Sequence, residues 1–299
     1  MKHSFYEASA RERVAGILDP SSFREILPPT ARVVSPHLRA LDLPAAFDDG
    51  VVIGSGTVDG RAVLIAAQEG GFMGGAVGEV HGAKIVGLLE RAAREHPAAV
   101  LLLLESGGVR LQEANAGLVA VSEVMRAILA ARGAGVPVLA AIGGQYGCFG
   151  GMGIAARCCN TIVMSEEGRM GLSGPEVIET ANGVEEFDSR DRALVWRTVG
   201  GKHRYLIGDC DRLVDDEIAE FRDAFIALAR ESNAFTLEAV LREHEMLTQR
   251  IESFGGCADA LDIWRALGWD EPDQVSVIGA SEFAHHAGTR RAGPTGVAQ

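Results

Sequence analysis

Positive charge is scarce in this sequence: 28 Lys and Arg stand against 41 Asp and Glu, a net charge of −13. A chain so acidic repels polyanions, so nucleic acid and an anionic membrane surface are not expected as main partners. Long apolar runs are also missing. Nothing approaches the roughly 18 residues of a membrane span, and the opening MKHSFYEASARERVAGILD has no apolar core of signal-peptide length. Both absences lead to the expectation of a cytoplasmic protein. The five cysteines, Cys148, Cys158, Cys159, Cys210 and Cys257, contain no C-x-x-C pair and are odd in number. Reduced, mostly buried thiols are therefore expected, without a disulfide framework. The eight histidines show no H-x-x-x-H spacing, and no metal site is expected.

Glycine is what the sequence has in excess, 37 of 299 residues against an average of about 7%. The excess gathers at 70–78, 107–108 and 143–153. Scattered loop glycines would not cluster in this way, so close approach of the backbone to another group is expected there. Around the clusters the pattern alternates between strands and helices. VVIGSGTVDGRAVLIAAQE reads as a hairpin turning at Asp59-Gly60. Ile85, Leu88, Leu89 and Ala92 then fall at helical spacing. AAVLLLLE is apolar throughout, as a strand buried on both faces must be. A helix with Leu118, Val121, Met125, Ile128 and Leu129 on one face, the strand VPVLAAIGG, a small-residue helix and the strand TIVMSEE follow. These repeated ββα units predict an α/β domain over 48–210, after an N-terminal helix and arm over 1–47. Helices over 211–285, marked by Ile218, Phe221, Phe225, Leu228, Leu261, Trp264 and Leu267, are too few for their own core. They are expected to pack on the body or on a partner subunit. A disordered tail is expected over 286–299.

A buried strand that ends on Gly107-Gly108 before a helix leaves backbone N–H groups unshielded by side chains. Such groups can hold a developing negative charge. Gly150 and Gly151 in GGQYGCFGGMGIAA give a second strand end of the same kind. Two converging donors would polarise one carbonyl, and a thioester suits this because enolate formation places charge on its oxygen. Each glycine pair can equally serve a tight turn. GGFMGG lacks the G-K-[ST] of a phosphate loop and the spacing of a dinucleotide fingerprint. Ser106 sits at a strand–helix turn but outside a G-x-S-x-G elbow. It and Cys148 are the nucleophiles that a different enzyme class would use.

The run ESGGVRLQEA, preceded by GGAVGEVHGAKIV and followed by GGQYGCFGGMG and GLSGPEVIE, resembles the carboxyltransferase β-subunit family, which has the crotonase fold. The likeness covers about 50 to 200 and keeps the motif order. Two departures narrow it. No cysteine precedes Cys148, so the four-cysteine zinc ribbon of bacterial acetyl-CoA carboxylase β subunits is missing. The chain is also about half as long as fused propionyl-CoA-type carboxyltransferases. With the opening SFYEASARERVAGILDPSSFREI, the sequence looks most like the β subunits of biotin-independent malonate decarboxylases. The resemblance implies decarboxylation of a malonyl group on an acyl carrier protein, and no biotin or other cofactor bound directly. The carrier's phosphopantetheine-type (dephospho-CoA-derived) prosthetic group would present the substrate. Expected partners are a crotonase-fold γ subunit, the acyl carrier protein and an acyl carrier protein transferase subunit.

On that resemblance Gly107 and Gly108 match the first oxyanion pair, Gly150 and Gly151 the glycines of the following helix, and Gly174-Pro175 the loop that closes the site. Gly74 and Gly75 join the expected substrate-binding set. Arg110 is either a substrate-orienting residue or the i, i+3 partner of Glu113. Tyr146 and His81 are candidate proton donors, each equally readable as a buried hydrogen-bonded side chain. Lys202 and Arg204 in GGKHRY, the densest positive cluster, are read either as a basic rim for the carrier's phosphates or as a solvated turn. A biotin-dependent acyl-CoA carboxylase or decarboxylase subunit is the alternative enzyme, and a non-catalytic scaffold subunit the alternative role.

Overall fold

A computed structural model describes residues 3–231, 234–288 and 290–292. Chain order begins with α1 (Ala10–Ile17), β1 (Arg24–Ile26) and α2 (Pro36–Ala40). Then come β2 (Val51–Val58), β3 (Arg61–Gln68), α3 (Glu79–Glu95), β4 (Ala99–Leu103), α4 (Asn115–Gly133), β5 (Val138–Ile142), α5 (Gly151–Arg157) and β6 (Thr161–Ser165). The remainder is α6 (Pro175–Asn182), α7 (Arg192–Val199), α8 (Gly201–Leu206), β7 (Arg212–Val214), α9 (Ile218–Leu228), α10 (Leu237–Phe254), α11 (Ala260–Ala266) and α12 (Ala280–Ala287). The seven strands lie side by side in sequence order. The β1–β2 and β2–β3 pairs are antiparallel, and every later pair is parallel. This is the mixed α/β sheet of a crotonase-type fold.

Continuous apolar strands demand cover on both faces, and two layers supply it. On one face α3, α4 and α5 pack with Ile85, Leu88, Val124 and Ile128. On the other, α1 and α9 pack with Val14, Ile17, Phe221 and Phe225. The C-terminal helices thus dock on the body: Phe5 stacks on Phe221 with ring centroids 4.0 Å apart, and Trp264 is buried. In α4 the buried stripe is Ala120, Val121, Val124, Ala127 and Ile128, whereas Leu118 and Leu129 face solvent. The expected face is therefore rotated toward its small residues. Their size lets α3 come close: a methyl placed on Gly82 would lie 2.5 Å from the Ala120 Cβ.

Three boundaries shift. The sheet extends beyond 48–210, because β1 and β7 form its edges. The tail expected to be disordered over 286–299 begins inside α12. Its described residues pack on the body, with Arg291 stacked 4.1 Å from the Tyr205 ring and the Ala292 N–H donating to Leu206 O at 2.7 Å; residues 289 and 293–299 lie outside the described residues. After the first hairpin, the second strand of each ββα unit shrinks to single bridges: Val77 with Val109, Ser106 with Cys148, and Cys148 with Met170. These bridges tie together the loops that leave the strand ends.

Candidate functional site

The loops after β4 and β5 leave the sheet side by side. The Ser106 N–H donates to Gly147 O at 2.7 Å, and the Phe149 N–H donates to Ser106 O at 2.8 Å. This short zipper brings the glycine clusters together: a Cβ on Gly150 would lie 3.3 Å from the Gly108 Cα. Gly108 has φ +134° and Gly150 φ +61°, conformations that a side chain disfavours. The third cluster joins them. A Cβ on Gly75 would lie 1.9 Å from Glu105 O, so only glycine lets the 70–78 loop reach this point.

Four candidate donors resolve into two that are engaged and two that are less so. The Gly107 N–H donates to Gly74 O at 2.8 Å, and the Gly150 N–H donates to Leu172 O at 2.9 Å. Both therefore hold the loops in place, which corrects their expected role as direct donors and gives Gly74 its own, as acceptor. The Gly108 N–H makes only a long contact with Ser106 Oγ, 3.2 Å. Gly151 is the first residue of α5, and the first N–H groups of a helix have no partner within it. Gly108 and Gly151 are thus the two less engaged N–H groups of the four.

Several expected site residues are structural. Arg110 is 1% exposed. Its guanidinium bonds Asp49 Oδ2 at 2.7 Å, Glu113 Oε1 at 3.0 Å, Asp49 O at 2.8 Å and Ala76 O at 2.9 Å. It anchors the 70–78 loop and has no free donor face for an acyl group. His81 is buried between Gln68 Nε2 at 3.1 Å and Asp49 O at 3.1 Å. Burial, with Arg110 and Lys84 nearby, holds its pKa well below the usual value, so it is a neutral core imidazole and no proton donor. Lys202 and Arg204 do not form a basic rim. Lys202 Nζ pairs with Glu166 at 2.8 Å and donates to Ile278 O at 2.6 Å, while Arg204 pairs with Asp209 at 2.9 Å. Internal carboxylates and carbonyls neutralise both cations, as burial of charge requires, although the Arg204 Nε–H is left without a partner.

Tyr146, by contrast, is 42% exposed beside the 70–78 loop, its ring within reach of Gly70 and Gly74. Gly174 caps α6 and Pro175 is its first residue. That helix packs over a small satellite core of Phe149, Phe187, Val195 and Val199. Nucleophile chemistry finds no support. Cys148 is fully buried and its thiol is pushed up to about 12 by burial. Ser106 Oγ is spent on the Gly108 backbone, donating to Gly108 O at 3.1 Å.

Sequence reasoning missed Glu105. It closes LLLLE and is 3% exposed, yet it is an organising centre. One carboxylate oxygen accepts from the Tyr146 N–H at 3.0 Å, and the other pairs with Arg13 of α1. Arg13 also donates to Phe5 O at 2.8 Å. Gly70 and Gly144 wall the carboxylate, since a Cβ on either would collide with it at 2.5 and 2.3 Å. The available signal was a carboxylate set between an apolar strand and glycines, which cannot be left buried without a partner.

An α/β sheet whose neighbouring strand ends carry glycine loops that meet defines a crotonase-type carboxyltransferase-like protein. The chain belongs to the carboxyl transferase domain family, whose pattern it matches over residues 3–218. It is 41% identical over 95% of its length, and 95% of the relative's, to the malonyl-S-ACP:biotin-protein carboxyltransferase MADC of Malonomonas rubra. A putative propionyl-CoA carboxylase beta chain of Bacillus subtilis is 37% identical over 66% of this chain but only 38% of that longer one. Among solved structures, a Pseudomonas malonate decarboxylase hetero-tetramer in complex with malonate superposes with a TM-score of 0.82 at 42% identity, covering 89% of this chain and 97% of that one. A Pseudomonas malonate decarboxylase MdcD-MdcE hetero-dimer gives 0.67 at 39% identity, over 83% and 96%.

Proposed function

We propose that the chain is the decarboxylating subunit of a malonate decarboxylase, converting a malonyl thioester on an acyl carrier protein into the acetyl thioester. The observation that carries this reading is the meeting of the two glycine loops, where the Gly108 N–H has only the Ser106 Oγ contact and the Gly151 N–H opens α5. The electron pair of the breaking C–C bond passes into the thioester, carbon dioxide leaves, and the enolate oxygen takes up the charge. Two preorganised donors there stabilise the transition state more than the ground state, which is what raises kcat. A proton then adds to the enolate carbon; Tyr146 is the candidate donor nearest the mouth. The carrier's phosphopantetheine-type arm would bring the substrate, and a homologous crotonase-fold subunit would close the site as partner.

A second reading rests on the Malonomonas relative, whose name includes a biotin protein as carboxyl acceptor. The carboxyl group would then move to biotin instead of leaving as carbon dioxide. Co-purifying the chain with its partners and assaying malonyl-carrier turnover, with and without avidin and an added biotin protein, separates the two. Avidin-resistant release of carbon dioxide is expected. Turnover only with the biotin protein would favour the second reading, and turnover under neither condition would remove both.

A further inference from the structure

With Lys202, Arg204, Arg110 and Arg13 neutralised inside the fold, the positive charge available beside the glycine loops comes from elsewhere. Arg169 follows β6 and lies half-buried. Its C=O accepts the Cys148 N–H at 2.8 Å, so its backbone is pinned to the zipper that carries the glycine clusters. Its guanidinium lies 6.0 Å from the centre of the Phe149 ring, directly before Gly150, and 4.9 Å from that of Trp196. Arg192 stacks on the same indole at 5.0 Å. Two cations on one ring are within about 10 Å of each other, a Debye length at 0.1 M salt, and repel. Among the described residues no carboxylate lies within ion-pair distance of either. Arg169 donates to Gln145 O, but its Nε–H is buried without a partner. Glu105 and Glu176 are close enough to act on Arg169 electrostatically; Glu105 is already held by Arg13.

A buried donor with no acceptor is costly, and a pair of unneutralised guanidiniums in an acidic protein is costly too. We propose that Arg169 and Arg192, stacked on Trp196, form an anion subsite next to the glycine loops, for an oxyanion of the thioester substrate. The ligand chemistry is a carboxylate or a phosphate. The malonyl carboxylate and the phosphodiester of the carrier arm are the two sources. Planar guanidinium forks suit either. The choice of substrate rests on the function proposed above, whereas the anion site rests on the geometry.

Calorimetric titration of the co-purified complex tests this with three probes. Succinyl-pantetheine carries a carboxylate and cannot lose carbon dioxide, acetyl-4′-phosphopantetheine carries a phosphate, and acetyl-pantetheine carries neither. R169Q is expected to weaken one anionic probe by about ten-fold or more, the worth of a charged hydrogen bond, and to leave acetyl-pantetheine unchanged. R192Q, on an exposed side chain that can be removed without harm to the fold, is expected to act in the same direction. Loss confined to the succinyl probe identifies the carboxylate as source, and loss confined to the phosphate probe identifies the arm. Equal loss on all three probes, or none in either variant, overturns the subsite. If the wild type binds as expected but decarboxylates nothing, the functional reading fails and the subsite stands.

Discussion

At the scale of single residues, the proposed chemistry rests on Gly108. Its N–H is held only by the 3.2 Å contact with Ser106 Oγ, and φ +134° leaves no comfortable place for a side chain. A single oxyanion donor is worth about 10²–10³ in kcat. Gly108→Pro, which deletes it, is expected to lower decarboxylation at least that much with circular dichroism and complex formation unchanged. Gly108→Ala keeps the N–H but strains the backbone, so a smaller loss is expected. A folded proline variant with near-normal kcat would show that the glycine serves only the turn.

Two buried histidines set a pH response. His203 has its pKa lowered to about 3 by burial, with Arg204 adding to the effect. Its Nδ1 accepts from Trp264 Nε1 at 3.2 Å, which requires a neutral ring. The His81 pKa is lowered in the same sense. A histidine kept neutral in the fold binds its proton only on unfolding, so stability is full above the unfolded value and falls as pH drops below about 6.5. Each contributes up to about 1.4 kcal/mol per pH unit there. Thermal denaturation from pH 7 to pH 5 is expected to show a falling Tm, with a shallower slope in His203→Gln. The same slope in that variant would mean His203 is protonated in the native state.

At the scale of elements, the Arg13–Glu105 pair joins α1 to the end of β4 across the sheet. With the Ala10 N–H donating to Glu69 Oε2 at 2.9 Å, it ties the first helix to the start of the 70–78 loop and the end of β4. Breaking a buried pair from one side leaves an uncompensated charge and costs about 3–5 kcal/mol. Arg13→Met is therefore expected to lower Tm by several degrees and to raise amide exchange in 143–149, where the Tyr146 N–H depends on Glu105. Arg13→Met combined with Glu105→Gln, which removes both charges, is expected to recover part of the loss. Unchanged exchange in that loop would separate the pair from the site.

At the scale of the whole molecule, exposed apolar side chains lie on the segments that follow the glycine loops. Leu111 is 85% and Leu172 70% exposed, with Leu118, Val119, Ile154 and Val177 also open. Exposed apolar side chains gathered in one patch are what a subunit interface presents. This surface is where a homologous subunit would cover the site, as the proposed function requires. Leu172→Asp is expected to abolish co-purification of that subunit and activity together while leaving the Tm of the isolated chain within about 2 °C, as for a surface change. Retained co-purification would move the interface elsewhere, for example to α10, an amphipathic helix with no buried residue.

The sequence by itself determined the alternation of strands and helices and the location of the glycine clusters. Apolar periodicity and backbone permissiveness are local properties, legible residue by residue. ESGG and GGQYGCFGGMG marked the strand ends where the backbone approaches another group closely, because glycine leaves its N–H unshielded there. Which glycine donates to a ligand was a tertiary matter. Gly107 and Gly150 are occupied by Gly74 O and Leu172 O, carbonyls distant in sequence that only the folded loops bring near. The fate of each charge was decided there too. Arg110, His81, Lys202 and Arg204 look like functional residues in one dimension, and the fold spends them on internal partners. Glu105 and Arg169 gain their importance the same way. Burial makes an unpaired charge or donor expensive, and burial exists only once the chain has folded.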